Sequence, residues 1–420
     1  MDFIKHLERY LTKEEITKLL DSLKKEDKHA VLLNINKMDE KTFLSIYPNC
    51  LPHPIVKNAF LYDKNEYDLG KSIYYALGCF YLQEPSAMLP SYLLDVKEND
   101  LVLDMCAAPG GKTIQASLKM NDKGLIISND LSRSRCEAII ENVERMGLGN
   151  IVIINNDFSK IYKNYPLTFD KIILDAPCSG SGMFRKDKKM EEDWSYAKVL
   201  KFSSIQKELL LMAYYMLKPG GIISYSTCSF SYEEDEEVVS YLLANSDAEI
   251  IDINHPLFYK NKNKPLGVHI FSFLFKGEGH YICLIKKPGT LSKKENKVSD
   301  KQKYGFNYVY CFGDYLFGLN EDFNFKGFNI VRLGVKIGEM MKNKEIKYDL
   351  HYAHQVKHFD QELEISKEQL LTYLSGNVLD IKKDKGLYLL KFNNINVDIS
   401  NSDGRVIKNH YPKGLRRNFK

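Results

Sequence analysis

The chain has 420 residues, 44% hydrophobic and 27% charged, with a formal net charge of +4, 27 tyrosines, 22 phenylalanines and one tryptophan. This length exceeds what one core usually supports, so two or three domains are expected, and the apolar content is that of an ordinary globular protein. Eight scattered cysteines without CxxC pairs, a charged start "MDFIKHLERYLTKEE" and no run near the roughly 18 apolar residues of a membrane span argue against a disulfide scaffold, a secreted chain or a membrane protein; a cytoplasmic location with reduced thiols is expected.

Residues 1–75 read as a helical N-terminal domain. "FIKHLERYL" and "EEITKLLDSL" repeat apolar positions at helical spacing, and "YPNCLPHP" breaks the pattern with two prolines. A turn-rich stretch, "GCFYLQEPSAMLPSYLLDV", leads into residues 76–288, where short β-rich runs alternate with helical ones. "DLVLDMC", "GLIISND", "NIVIINND", "FDKIILDAP" and "IISYSTCS" read as strands; "KTIQASLKM", "SRSRCEAIIENVERMG" and "SIQKELLLMAYYML" read as helices. Such alternation implies parallel βαβ units, hence an α/β Rossmann-like sheet with ligands at the carboxyl ends of its strands. In "SYEEDEEVVSYLL", Ser231 and Glu234 have capping-box spacing, which predicts an acidic helix first turn. Residues 289–305 form a lysine-rich linker, and 306–420 a mixed α+β region.

The first of these strands runs into a Gly-rich turn and a helix, "LVLDMCAAPGGKT" (101–113). Amides at a helix N-terminus can cradle an anion. A P-loop would need glycine where Cys106 stands, and GxGxxG is absent, which also argues against a nicotinamide-dependent dehydrogenase. Three strands then close on a carboxylate: Asp130, Asp157 and Asp175. An acid after the second strand suits ribose hydroxyls, and Asp157 could accept from an adenine amino group. Each acid could equally cap the turn that follows it; three in register with the Gly-rich turn fit a nucleoside with a charged tail.

Cys178 in "DAPCSGSG" and Cys228 in "YSTCSF" each stand just past a strand among small hydroxylated residues, while Cys50, Cys79, Cys136, Cys283 and Cys311 read as small buried hydrophobes. Beside a nucleoside cofactor a thiolate has a specific use. Carbon 5 of a pyrimidine is too electron-poor to attack a methyl sulfonium, and a thiolate added to carbon 6 converts the ring to an enamine nucleophilic at carbon 5. An acid near N3, such as Asp175, would stabilise the developing charge, and a second thiol could assist release.

"CAAPGGKT", "DAPCSGSG" and "STCS", in this order and with "QEPSAM" upstream, resemble the Sun/nucleolar-protein (NSUN) family of RNA cytosine-5 methyltransferases over about residues 75–288. The N-terminus and "NHYPKGLRR" resemble its RsmF-like bacterial branch, which methylates small-subunit rRNA and carries a PUA-like C-terminal RNA-binding region. The resemblance implies S-adenosylmethionine as cofactor, held by Cys106, Ala107, Ala108, Pro109, Gly110, Gly111 and Lys112 with Asp130, Asp157 and Asp175. It implies Cys228 as nucleophile, Cys178 as the thiol aiding release, and Asp175 and Lys112 beside the base. RNA is the expected partner, either small-subunit rRNA or the small ribosomal subunit, with tRNA as alternative substrate; a monomer without membrane or metal is expected. A catalytically inactive assembly factor is the other reading, against which stands the presence of every cysteine and acid. Six basic residues in 405–420, interleaved with His410, Tyr411 and Phe419, could grip phosphates and stack on bases, and "RKDKK" (185–189) could hold the backbone at the site's mouth.

Overall fold

The computed structural model describes residues 3–24, 29–186, 188–291 and 303–418. Most of the expected linker, together with Asp187 and Phe419, lies outside the described residues.

A nine-stranded mixed sheet occupies the middle of the chain. Its order is Glu249–Ile251, His280–Lys286, Leu217–Thr227, Phe169–Asp175, Leu101–Asp104, Leu125–Asn129, Ile151–Ile154 and Ile330–Leu333, with Val268–Ile270 beside His280–Lys286. The five strands from Leu217–Thr227 to Ile151–Ile154 are parallel. Their continuous apolar runs follow from burial on both faces. Val102, Ile126, Ile153 and Ile173 enter one core with Ile114 and Ile139 of the helices Gly111–Lys119 and Arg133–Met146. Leu103, Ile127, Val152 and Ile172 enter the other, with Leu210 of the long helix Tyr196–Met216.

Strand order positions the site. From Leu101–Asp104 the chain builds outward through Leu125–Asn129 to Ile151–Ile154, then returns to the opposite side for Phe169–Asp175. Two loops therefore leave neighbouring strands in opposite directions, and the crevice between their carboxyl ends is where ligands of such sheets sit. The turn 105–111 and Asp175 border it.

The N-terminal segment is α/β rather than helical. The helices Phe3–Leu7 and Lys13–Leu23 are present, the second opened by a capping box between Thr12 and Glu15. The strands His29–Leu33, Leu51–Pro52 and Ala59–Tyr62 then pair antiparallel with Phe80–Gln83 in a four-stranded sheet. Apolar runs as short as "HAVLL" and "AFLY" carry no usable period, so only pairing decides their state. The C-terminal region is not separate from the central sheet either. Ile330–Leu333 lies antiparallel to Ile151–Ile154 and covers what would be a bare parallel edge. Beyond it, Tyr308–Phe312, Tyr315–Leu319, Val335–Met340 and Ile346–Tyr348 form one sheet, and Glu362–Glu364, Gly386–Phe392 and Ile395–Ser402 another. The two ends of the chain share a core, in which Phe43, Phe60 and Phe80 meet Leu370, Tyr373, Leu390 and Tyr411.

That core corrects the expected stacking surface of the tail. Tyr411 is buried, His410 donates its backbone N–H to the Tyr373 hydroxyl, and Arg416 bonds the carbonyl oxygen of Tyr411 and the side chain of Asn409. These residues close a domain instead of meeting bases. No helix among the described residues is long and apolar enough to cross a membrane.

The helix Leu350–Gln355 docks on Arg133–Met146 through buried His351, whose Nε2 lies 2.8 Å from the carbonyl oxygen of Leu148. That bond puts the proton on Nε2, while the buried Nδ1 has no partner. Burial pushes this imidazole down from 6.5 to about 4. The unfolded chain binds the proton first, so stability is complete above pH 6.5 and is lost as pH falls from there toward 4. Urea midpoints should drop between pH 7 and pH 5, and His351→Gln, which keeps a donor but does not titrate, should lessen the drop. Neighbouring His354, also held neutral by burial, supplies the remainder.

Candidate active site

Cys178 and Cys228 follow two adjacent parallel strands in which Asp175, the last residue of the first, is in register with Ser226, the next-to-last of the second. Their sulfurs lie 3.1 Å apart. This exceeds the roughly 2.05 Å of a disulfide and is the separation of a hydrogen-bonded thiol pair. Both are half-buried, hence reachable from the crevice. The bond to Cys228, reinforced by burial, pushes the Cys178 thiol well up from its ordinary value. Cys178 is therefore held as the protonated thiol beside the sulfur of Cys228.

The small residues after Cys178 are required by how closely the second loop approaches. Gly182 donates its N–H to the carbonyl oxygen of Cys228 at 2.7 Å, and a Cβ at 182 would stand 2.7 Å from that oxygen and 3.0 Å from the carbonyl oxygen of Gly279. Ser181 Oγ accepts from the Phe230 N–H at 2.8 Å. Glu234 clamps both loops, accepting from the N–H of Ser179 (2.8 Å), the hydroxyls of Ser179 and Ser229, and Gln206 Nε2 (3.1 Å).

The expected capping box at Ser231 and Glu234 is thereby corrected. The helix is Glu236–Ala244, Asp235 at its N-cap makes no side-chain cap, and Ser231 Oγ has no partner. Glu233, Glu234, Asp235 and Glu236 are all buried, engaged by Arg9, Ser179, Thr227 and His269 respectively, of which all but Thr227 are distant in sequence. Buried acids with partners are a positioning device, not a solvated helix start.

Asp175 closes the crevice. Lys112 Nζ and Ser226 Oγ each donate to it at 2.7 Å, and His280 Nε2 lies 3.4 Å away. Burial pushes this carboxyl up, but Lys112 and His280 outweigh burial and hold it well below the usual carboxylate range. Asp175 is therefore ionised at neutral pH. The acid that the sequence placed near the base is thus a carboxylate that accepts hydrogen bonds, with Lys112 as the donor beside it.

The turn from Cys106 to Lys112 is tied to the second strand by the Ala107 N–H on the carbonyl oxygen of Asn129, at 2.8 Å. Gly110 sits at φ +106°, and as N-cap of Gly111–Lys119 it offers no side chain, leaving the first-turn amides for an anion. A Cβ at Gly111 would stand 2.9 Å from Gln83 Nε2, so glycine there keeps the turn tight. Asp130 accepts from the Ser132 N–H (2.9 Å) and pairs with exposed Arg135 (3.2 Å). Asp157 caps the short helix Phe158–Ile161 by accepting from Ser159, and stays partly exposed. A nucleoside with a carboxylate tail fits this set: amides for the carboxylate, acids at strand ends for hydroxyls and amines.

Sequence reasoning missed Ser226, Glu234 and His280. His280 comes from "KGEGH", 52 residues past Cys228, and only the antiparallel pairing of its strand with Leu217–Thr227 brings it to Asp175. Glu84 of "QEPSAM" accepts from the Glu278 N–H (2.7 Å), which fixes that turn. Within "RKDKK", Arg185 bonds buried Glu278 (3.1 Å) and the carbonyl oxygen of Gly277 (3.0 Å), so it is structural; Lys186, Lys188 and Lys189 are exposed.

The fold and the Gly-rich turn together define a Rossmann-like methyltransferase, and comparison with known proteins gives the same class. The family model described as 16S rRNA methyltransferase RsmB/F matches residues 91–285, that for the N-terminal domain of 16S rRNA methyltransferase RsmF matches 1–85, and that for the methyltransferase RsmF PUA domain matches 360–417. The chain is 31% identical, over 83% of its own length and 81% of the other's, to ribosomal RNA small subunit methyltransferase F of Psychromonas ingrahamii. It is 42% identical to the tRNA (cytosine(49)-C(5))-methyltransferase of Pyrococcus abyssi over 49% of this chain, a match spanning 66% of that relative. The crystal structure of NSun6 from Pyrococcus horikoshii with SFG, an S-adenosylmethionine analogue, shares the fold at TM-score 0.63 and 20% identity, covering 68% of this chain and 97% of that one. The chain belongs to the ribosomal RNA small subunit methyltransferase F family.

Gly182→Ala should displace the Cys228 loop by a few tenths of an ångström or more. Single-turnover methyl transfer is expected to fall about 100-fold with little change in cofactor affinity measured by calorimetry.

Proposed function

We propose that this chain forms 5-methylcytosine in RNA, in small-subunit rRNA, with S-adenosylmethionine as methyl donor. The observation that carries the reading is the pair of half-buried sulfurs 3.1 Å apart at the crevice, beside the ionised Asp175. The turn Cys106–Lys112 with Asp130 and Asp157 would hold the cofactor, which when bound supplies an electrophilic methyl group on sulfur. Cys228 adds through its sulfur to C6 of the cytosine, and the C5–C6 π pair moves to make C5 nucleophilic. Lys112 donates, and Asp175 accepts, at the polar edge of the ring where charge develops. After C5 is methylated, water takes the C5 proton, the C5–H electron pair restores the C5–C6 double bond, and the C6–S pair leaves with Cys228 as thiolate. Cys178, hydrogen-bonded to that sulfur, assists the expulsion.

The division of labour is part of the proposal. Residues 76–288 carry the chemistry, while the N-terminal sheet and the PUA-matching residues 360–417 present the RNA, in a monomer acting in the cytoplasm. Lys186, Lys188 and Lys189 are exposed charges that follow the Cys178 loop in the chain. A tRNA substrate is the second reading, favoured by the 42% identity to the archaeal tRNA enzyme.

Cys228→Ala should still bind S-adenosylmethionine and transfer no methyl group; full activity in that variant would remove the nucleophile assignment. Cys178→Ala should accumulate a covalent protein–RNA adduct visible as a retarded band on denaturing gels. Bisulfite sequencing of RNA from a deletion strain should show a lost 16S mark; a lost tRNA mark with intact 16S would select the second reading.

A further inference from the structure

Behind the Cys228 loop lies a cluster that the proposed transfer does not use. Asp235 and Glu236, at the start of Glu236–Ala244, meet His269 of Val268–Ile270, and all three are at most 1% exposed. His269 Nε2 is 2.9 Å from Glu236 Oε1, and its Nδ1 is 3.9 Å from Asp235 Oδ2. One ligand atom from each of the three lies within 4.8 Å of the others.

Outer atoms of this cluster are satisfied and inner ones are not. Thr227 Oγ1 donates to Asp235 Oδ1 (2.6 Å) and Asn261 Nδ2 to Glu236 Oε1 (3.0 Å). His269 Nδ1, Asp235 Oδ2 and Glu236 Oε2 are buried with no hydrogen-bond partner among the described residues. Tyr10 stacks on the imidazole at 6.1 Å, and its buried hydroxyl is also without a partner. Two buried carboxylates thus face one imidazole, a balance that calls for added positive charge.

We propose that Asp235, Glu236 and His269 bind a divalent transition-metal cation of the zinc class. An imidazole with two carboxylates is a donor set such ions accept. A tetrahedral ion bonded at about 2 Å to each partner sets them about 3.3 Å apart, so His269 Nδ1 and Asp235 Oδ2, at 3.9 Å, need only draw together by a few tenths of an ångström. The ion would join strand to helix and steady Asp235. Asp235 in turn holds Thr227, whose Oγ1 also accepts from the Ser229 N–H at 3.1 Å, so both neighbours of Cys228 are fixed. The expectation of a metal-free protein read only local spacing, and these ligands are 33 residues apart in sequence. The site does not depend on which RNA is methylated.

The test uses the full chain, dialysed separately against zinc, manganese and iron(II) chlorides and then against metal-free buffer. Mass spectrometry should find about one retained zinc per chain, and EDTA should lower the melting temperature. His269→Gln should retain at least tenfold less, while Glu14→Gln, an exposed carboxyl elsewhere, should retain as much as the unaltered chain. X-ray absorption at the zinc edge should show nitrogen and oxygen neighbours without sulfur. Failure to retain any of the three ions overturns the proposal, as does a shell containing sulfur, which would place the ion on Cys178 and Cys228. If His269→Gln does not fold, stoichiometry and absorption of the unaltered chain decide.

Discussion

The meeting of two loop backbones underlies the rest of the structure. The bond from the Gly182 N–H to the Cys228 carbonyl oxygen brings the loops close enough for their sulfurs to share a proton. Bulk at 181 or 182 would separate them, and without their small hydroxyls neither loop would find Glu234. Parallel neighbouring strands end on the same sheet edge, so loops leaving them can converge; glycine and serine let them touch.

What holds that contact from behind is polar and buried, an expensive choice made workable by pairing. Each acid from Glu233 to Glu236 has a partner from another part of the chain. Arg9 joins Glu233, and Leu7 and Leu19 of the N-terminal helices, with Leu11 between them, share a small core with Phe230 and Phe271. The first two helices are thereby part of the catalytic apparatus's support. Removing one member of such a set would strand a charge away from water, a far larger loss than an exposed ion pair represents. Asp175 follows the same logic at the front, where Lys112 and His280 keep it ionised against the pull of burial.

How much was legible follows residue by residue. The parallel sheet was, because "LVLD", "IVII" and "KIILD" are short apolar runs punctuated by helices. The two thiols were, because small hydroxylated residues flank both. The strands His29–Leu33 and Ala59–Tyr62 were not, since their state depends on pairing with each other and, for His29–Leu33, with Phe80–Gln83. Nor was the burial of "EEDEE": a row of acids reads as solvated unless its partners are known, and Arg9, Ser179 and His269 lie 33 to 224 residues from the acids they meet. Tyr411 in a basic tail looked available for stacking until the N-terminal sheet supplied the core that encloses it.

The order of residues alone determined the fold class and marked the Gly-rich turn and the two thiols as candidates, because these depend on local pattern and intrinsic chemistry. Tertiary structure decided the surroundings of those groups. That Asp175 is ionised, that the Cys178 thiol is held protonated, and that four acids are internal are consequences of distance and burial. Electrostatic energies vary with both, and neither is a property of neighbouring letters in a chain.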